Sequence, residues 1–203
     1  MTLSKRLFDL IAALILLVIL LPVIVWLTGL LLLREGRPVL YLSERMKTPS
    51  QSFQLWKFRT MSVVAQDEGV SGGHKASRIT PTGAFLRKYR LDEIPQLWNV
   101  LRGDISFVGP RPPLRRYVEM FPETYGQVLQ SRPGITGLAT LVYHRHEEVL
   151  LAQCNSAEET EAVYTRRCVP QKARLDLIYQ ERRNLCLDIR LMLKTVFRRI
   201  GLH

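Results

Sequence analysis

The sequence predicts an α+β, mainly helical protein: an apolar N-terminal segment that enters a membrane, followed by one small α/β domain. Three observations carry this. Between Asp9 and Arg34 lie 24 residues without a charge, enough at ~1.5 Å per residue to match the ~30 Å hydrocarbon core of a bilayer. Two runs rich in aromatic and aliphatic residues, "VLYLSERM" and "FQLWKFRTM", flank the loop-like "KTPSQS", the pattern of a short β-hairpin. The C-terminal run "LCLDIRLMLKTVFRRI" puts Leu185, Ile189, Met192, Leu193, Val196, Phe197 and Ile200 on one helical face. Asp188, Arg190, Lys194, Arg198 and Arg199 fall elsewhere, which makes an amphipathic, basic helix. With a tenth of its 203 residues spent on the apolar segment, the chain has material for one compact domain. The expected division is an anchor over 1–36 and the domain over 37–203.

The path of the anchor has competing solutions. A single spanning helix fits its length. A cleaved signal peptide fits less well, because the apolar run exceeds the usual ~7–15 residues and no A-x-A-like site closes it. Pro22 would kink a spanning helix by removing a hydrogen bond and crowding the preceding turn. Lys5 and Arg6 precede the segment, and Arg34, Arg37, Arg45 and Lys47 follow it. Positive residues favour the cytoplasmic side, so a crossing helix would leave one cluster outside, whereas a re-entrant hairpin keeps both inside.

Further along, Lys57 and Arg59 alternate onto one face of the second strand. Residues 65–78 have the Gly and Ser content of a surface loop. Helical stretches are expected at "AFLRKYR" and "EIPQLWNVL", the latter stopping at Arg102 and Gly103. "SFVGPRPP" reads as a rigid turn presenting Arg111, and "SRPGITG" as another turn. Residues 114–130 look helical apart from Pro122, and 145–168 form an acidic region without periodicity. Three cysteines form no CxxC pair and leave one over in any pairing, which fits a reducing compartment and packing roles.

The net charge of +11 predicts an anionic partner: nucleic acid, acidic phospholipid headgroups or a phosphorylated substrate. Lys57, Arg59, Arg78, Arg87, Lys88, Arg90, Arg102 and Arg111 gather around the acidic pair Asp92 and Glu93, and guanidinium forks suit phosphate. Asp92 is by position either a helix N-cap or a carboxylate kept ionised by the helix terminus, as a nucleophile or a metal ligand must be. The "HRH" at 144–146 has no further spaced ligand to make a zinc site. Phosphate-cradling GxxxxGK[ST] and GxGxxG patterns are absent from the sequence.

Taken in order, "KRLFD", "WKFRTM", "RLDEIPQLWNVLRGDISFVGPRPPL" and "RPGITG" resemble the bacterial sugar transferase family, the monotopic phosphoglycosyl transferases. The resemblance implies a re-entrant helix-break-helix turned at Pro22, with the catalytic domain on the cytoplasmic face of the bacterial plasma membrane. It implies transfer of a sugar 1-phosphate from a UDP-sugar to polyprenyl phosphate, with Mg²⁺. Asp92 would be the nucleophile, forming a phosphosugar aspartate and releasing UMP, and also the metal-binding carboxylate. Glu93 completes the dyad by orienting Asp92 or handling a proton, while Lys57, Arg59, Arg87 and Arg111 would bind substrate. After "RPGITG" the chain departs from the family pattern, leaving open which sugar is transferred. Oligomeric state is likewise open.

The rival reading is a membrane-anchored basic binding module without catalysis, in which Asp92 is only a cap. No nucleic acid partner is expected, because no nucleic-acid motif accompanies the basic residues.

Overall fold

A single apolar helix dominates the N-terminal part of the chain. The computed structural model describes residues 1–63 and 78–200, the last three by backbone alone. The expected loop at 65–78 therefore falls, apart from Arg78, outside the described residues, as do the side chains of Arg198, Arg199 and Ile200. Helix α1 spans Leu3–Glu35; Thr2 caps its start, accepting from the Lys5 N–H, and Gly36 (φ +69°) ends it. Pro22 lies inside α1, which runs as one helix through it, so the helix-break-helix expected there is not shown.

Both halves of α1 rest on the domain. Ala13 is buried, and with Leu16, Leu17 and Leu20 it packs into a core of Phe53, Leu55, Leu97, Val100, Ile105, Phe107, Tyr179 and Leu191. Leu27 and Leu31 pack with Phe58 and Leu86 in a second core. Elsewhere the helix stays apolar and exposed, as at Ile15, Val18, Ile19, Val25 and Trp26. Burying the outward strip in lipid satisfies the hydrophobic demand that the domain leaves unmet.

Each end of α1 is also tied down by polar groups. Arg6 donates to the Val100 and Leu101 carbonyls at 2.6 and 2.8 Å. The fully buried Asp9 accepts from Lys5 and from Ser106 Oγ, both at 2.8 Å, and Lys5 reaches Asp188 at 3.0 Å. At the far end, Arg59 donates to the carbonyls of Glu35, Gly36 and Arg37. Thr80 Oγ1 donates to Glu35 Oε1 at 2.6 Å.

Strands β1 (Leu40–Met46) and β2 (Ser52–Phe58) form the expected antiparallel hairpin, with Leu40 opposite Phe58 and Met46 opposite Ser52. Helix α2 (Pro81–Tyr89) leads through a 3₁₀ turn, Leu91–Glu93, to α3 (Gln96–Arg102), which Gly103 (φ +79°) closes. The two stretches read as turns each contain a short strand. β3 (Ser106–Val108) pairs in parallel with β4 (Gly134–Thr136). Three residues are too few to show alternation, and the glycines that signal a turn here allow backbones to touch. A Cβ on Gly134 would sit 2.2 Å from the Gly109 nitrogen.

Between β3 and β4 lie α4 (Arg115–Met120) and α5 (Pro122–Val128), the latter with Pro122 in its first turn. The acidic region 145–168 is helical, correcting the reading of it as irregular. It is built from α6 (Leu138–Ala152), α7 (Ala157–Val163) and a π-helical turn, Tyr164–Cys168, running into α8 (Val169–Arg182). Tertiary ion pairs, Glu147 to Lys172 and Glu161 to Arg116, both at 3.1 Å, tie it to neighbouring elements in a way periodicity does not register.

Helix α9 (Leu185–Ile200) turns Asp188 and Leu191 inward. Leu193, Val196 and Phe197 are 50, 53 and 45% exposed, so most of the predicted apolar face is not packed into the core.

Candidate functional site

Asp92 and Glu93 stand in the 3₁₀ turn because Arg90 takes a left-handed conformation (φ +54°), ending α2 and turning the chain inward. Each is 8% exposed. Asp92 makes no capping bond to the turn or to α3, so the N-cap reading fails and its burial needs another account. Glu93 collects three cations: Lys57 Nζ at 3.1 Å, Arg111 Nη2 at 3.2 Å and Arg90 Nε at 3.4 Å. Lys57 Nζ also stands 4.0 Å from Asp92 Oδ2.

The two carboxylates are driven in opposite directions. Burial raises the Asp92 pKa, with Glu93 adding to the rise and Lys57, Arg87 and Arg90 opposing it. Asp92 precedes α3 within a buried turn, so desolvation rather than the helix terminus sets the direction of its shift. Burial acts on Glu93 in the same sense, but Arg111, Lys57 and Arg90 overcome it and hold Glu93 well below the usual carboxylate range. Burial lowers the Lys57 pKa against the pull of the two carboxylates. Glu93 raises that of Arg111. Adjacent acids with divergent affinities for protons are what division of chemical labour requires.

The remaining expected residues separate. Arg87 Nε donates to Thr60 Oγ1 at 2.8 Å and is close enough to lower the Asp92 pKa, so it borders the site. Arg59 does not point at the carboxylates; its guanidinium is spent on three carbonyls at the end of α1. It follows Phe58, the last residue of β2, so strand alternation no longer fixes its direction.

Sequence reasoning counted Arg90 only among the surrounding cations, although its adjacency to Asp92 was visible. Arg45, which donates to Ser43 Oγ at 3.2 Å, was used only as a flank charge. Burial and the nearby Arg111 lower its pKa to about 10. Helix α6 adds a wall: His144 Nε2 lies 3.4 Å from Glu148 Oε1. Burial lowers the His144 pKa, with Arg90 and Arg111 contributing and Glu148 opposing. His144 and His146 are two apart on α6 and so point to different sides.

Among the described residues no group of three or more His, Cys, Asp or Glu is placed to hold a metal ion. The donor set still fits Mg²⁺ bound partly by substrate. Glu93 is occupied by cations, whereas among the described residues Asp92 has only the distant Lys57 as an ion-pair partner. One hard carboxylate joined by diphosphate oxygens is a usual Mg²⁺ environment.

A family profile described as bacterial sugar transferase matches residues 1–201. Among curated relatives, an uncharacterized sugar transferase, EpsL, of Bacillus subtilis is 41% identical over 68% of this chain and 67% of its own length. The UDP-N-acetylgalactosamine-undecaprenyl-phosphate N-acetylgalactosaminephosphotransferase of Aeromonas hydrophila is 30% identical over 95% of this chain and 42% of its own. The UDP-glucose:undecaprenyl-phosphate glucose-1-phosphate transferase of Klebsiella pneumoniae is 31% identical over 96% and 39%. The chain thus spans about two thirds of the first relative and about two fifths of the other two.

Proposed function

The chain belongs to the bacterial sugar transferase family, and from that premise we propose that it moves a sugar 1-phosphate from a UDP-sugar to undecaprenyl phosphate. The products would be undecaprenyl diphosphosugar and UMP, a first membrane step in glycan or polysaccharide assembly. The single observation that carries this reading is the buried pair Asp92 and Glu93 facing Lys57, Arg90 and Arg111. Three cations converging on a dyad whose first member caps nothing make a diphosphate subsite, and a purely structural binding module has no use for that arrangement.

In the proposed reaction Asp92 Oδ attacks the β-phosphorus of the UDP-sugar and the bond to the bridging oxygen breaks, so UMP leaves with the electron pair. An oxygen of undecaprenyl phosphate then attacks the same phosphorus, and the aspartyl oxygen departs as a carboxylate. No proton need move, which suits a Glu93 held ionised by its cations; its part is to fix Lys57 and Arg111 against the phosphate oxygens rather than to shuttle a proton. Mg²⁺, held by Asp92 and the diphosphate, would withdraw charge from the phosphorus that a carboxylate must approach. Lys57, Arg111 and Arg87 bind substrate, and Arg59 is assigned to the anchor.

The membrane arrangement belongs to the same proposal: residues 1–36 form a re-entrant anchor turned at Pro22, and 37–203 form the catalytic domain on the cytoplasmic face. Its support is that Arg6 and Asp9 near one end of α1, and Glu35 at the other, bond to the same domain. A spanning helix would carry one end ~30 Å away. The exposed apolar face of α9 suits the headgroup layer, with anionic phospholipid as a partner. The test is UMP release from a panel of UDP-sugars with undecaprenyl phosphate and Mg²⁺. Release by Asp92→Asn at the wild-type rate would sink the mechanism, and no release with any sugar would sink the activity.

A further inference from the structure

Away from the carboxylates, a cavity of about 330 Å³ opens between the start of α1, the end of α8 and the start of α9. Its polar wall includes Lys5, Ser131, Arg132, Arg183 and Asn184, with Met1 and Leu185 at apolar positions. Asp188 is its one carboxylate, and that group is already engaged by Lys5 at 3.0 Å and by the Tyr179 hydroxyl at 2.7 Å. Arg183 donates to Ser131 Oγ.

Arg132 makes no hydrogen bond or ion pair among the described residues. Its Nη1 and the Nη2 of Arg6 both lie 3.2 Å from where a Gly103 side chain would begin, so two guanidiniums crowd one spot. Burial and Arg6 lower the Arg132 pKa, with Asp9 and Asp104 opposing but making no ion pair with it among the described residues. The N-termini of α1 and α9, capped by Thr2 and Asn184, both open on this cavity and add positive potential.

The apolar surroundings say what kind of anion fits. Leu3, beside the cavity, is 86% exposed, and Met1 and Leu185 are exposed as well. A free phosphate would use none of that surface, whereas a lipid would use both parts. We propose that this cavity is a phospholipid site, in which Arg132, Arg183 and Lys5 receive the phosphate of an anionic bilayer lipid while its acyl chains lie along Leu3 and Leu185. The site is separate from the Asp92 subsite and rests on the proposed membrane placement of α1, not on the transferase chemistry.

The test uses the full chain in phosphatidylcholine nanodiscs doped with phosphatidylglycerol. The measured quantity is the phosphatidylglycerol retained after detergent exchange, read by mass spectrometry. Retention is expected to fall about fivefold for each cation removed in Arg132→Gln/Arg183→Gln. Lys88→Gln/Arg174→Gln, which removes two exposed cations elsewhere, should retain the lipid. Asn184→Asp keeps an α9 cap but adds a negative charge to the cavity, and it too should lose lipid, so the proposal does not hang on the folding of one variant. Unchanged retention in the cavity variants overturns it. So does equal loss in the Lys88/Arg174 variant, which means diffuse attraction only, or displacement by millimolar inorganic phosphate, which means a free-anion site. UMP release from the same samples reports on the transferase reading independently.

Discussion

Arg111 Nη2 lies 3.2 Å from Glu93 Oε1, joining the Gly-Pro-Arg-Pro-Pro turn after β3 to the acidic turn before α3. Glu93 thereby neutralises cations from three places in the chain. Glu93→Gln leaves Lys57, Arg90 and Arg111 facing one another, and loss of one partner from such a cluster costs about 3–5 kcal/mol. A fall in melting temperature should report it. The carboxylate has a depressed pKa in the folded state, so its contribution is present above the ordinary glutamate value and is lost as pH falls toward the depressed one. Acid titration of stability should flatten over that window in the variant.

Asp92→Asn should reduce UMP release by at least ~10³-fold with little change in melting temperature, since Asp92 makes no capping bond. Because burial raises the pKa of the wild-type group, and only the ionised form can attack, activity should fall with acid starting above the normal aspartate range. A kcat profile with its acid limb at the unperturbed aspartate value would contradict this.

Arg59 and Arg111 should fail differently. Arg111→Ala should raise KM for the UDP-sugar. Arg59→Ala deletes three hydrogen bonds to the end of α1 and should cost roughly 2–4 kcal/mol with KM held near wild type. Steady-state kinetics beside thermal melts separate the two.

Asp176 on α8 is buried, with Oδ1 lacking a hydrogen-bond partner, and desolvation raises its pKa to about 7. A raised acid contributes stability fully present below its unfolded pKa and lost as pH rises through the folded one. Asp176→Asn should therefore match wild type in acid and exceed it by roughly 4 kcal/mol at pH 8, measured by melts at both pH values.

In a background with the native cysteines replaced by serine, cysteines at Ser4 and at Ser50, both exposed, should be shielded from an impermeant thiol reagent in intact cells. Labelling at Ser4 alone would restore a spanning helix.

The hairpin, the apolar helix and the helical stretches around Asp92 were legible because each rests on local signals: alternation, uninterrupted apolarity, and stops at Arg102 and Gly103. The β3–β4 pair was not, since its partners are 28 residues apart and its glycines act through close backbone approach rather than through turn geometry. Helix α7 did carry a signal that acidity masked. Ser156 accepts from the Glu159 N–H and Glu159 reaches back to the Asn155 N–H, a capping arrangement spelled out in "SAEE". At the site, Asp92, Glu93, Lys57 and Arg111 could be chosen from their sequence neighbourhood. The destination of Arg59 could not, because it depends on where the end of α1 comes to rest.

That same arginine couples two tasks. Lys57 and Arg59 are two residues apart, one meeting the acidic pair and the other gripping the end of the membrane helix. In the proposed re-entrant arrangement, with Arg6 fastening the opposite end, the anchor would have no distant terminus whose height must match the far leaflet. Acyl chains longer or shorter by a few carbons should then leave turnover nearly constant, where a spanning anchor would tilt or stretch with the bilayer. Thickness tolerance of this kind would let one protein work unchanged as its host remodels its lipids.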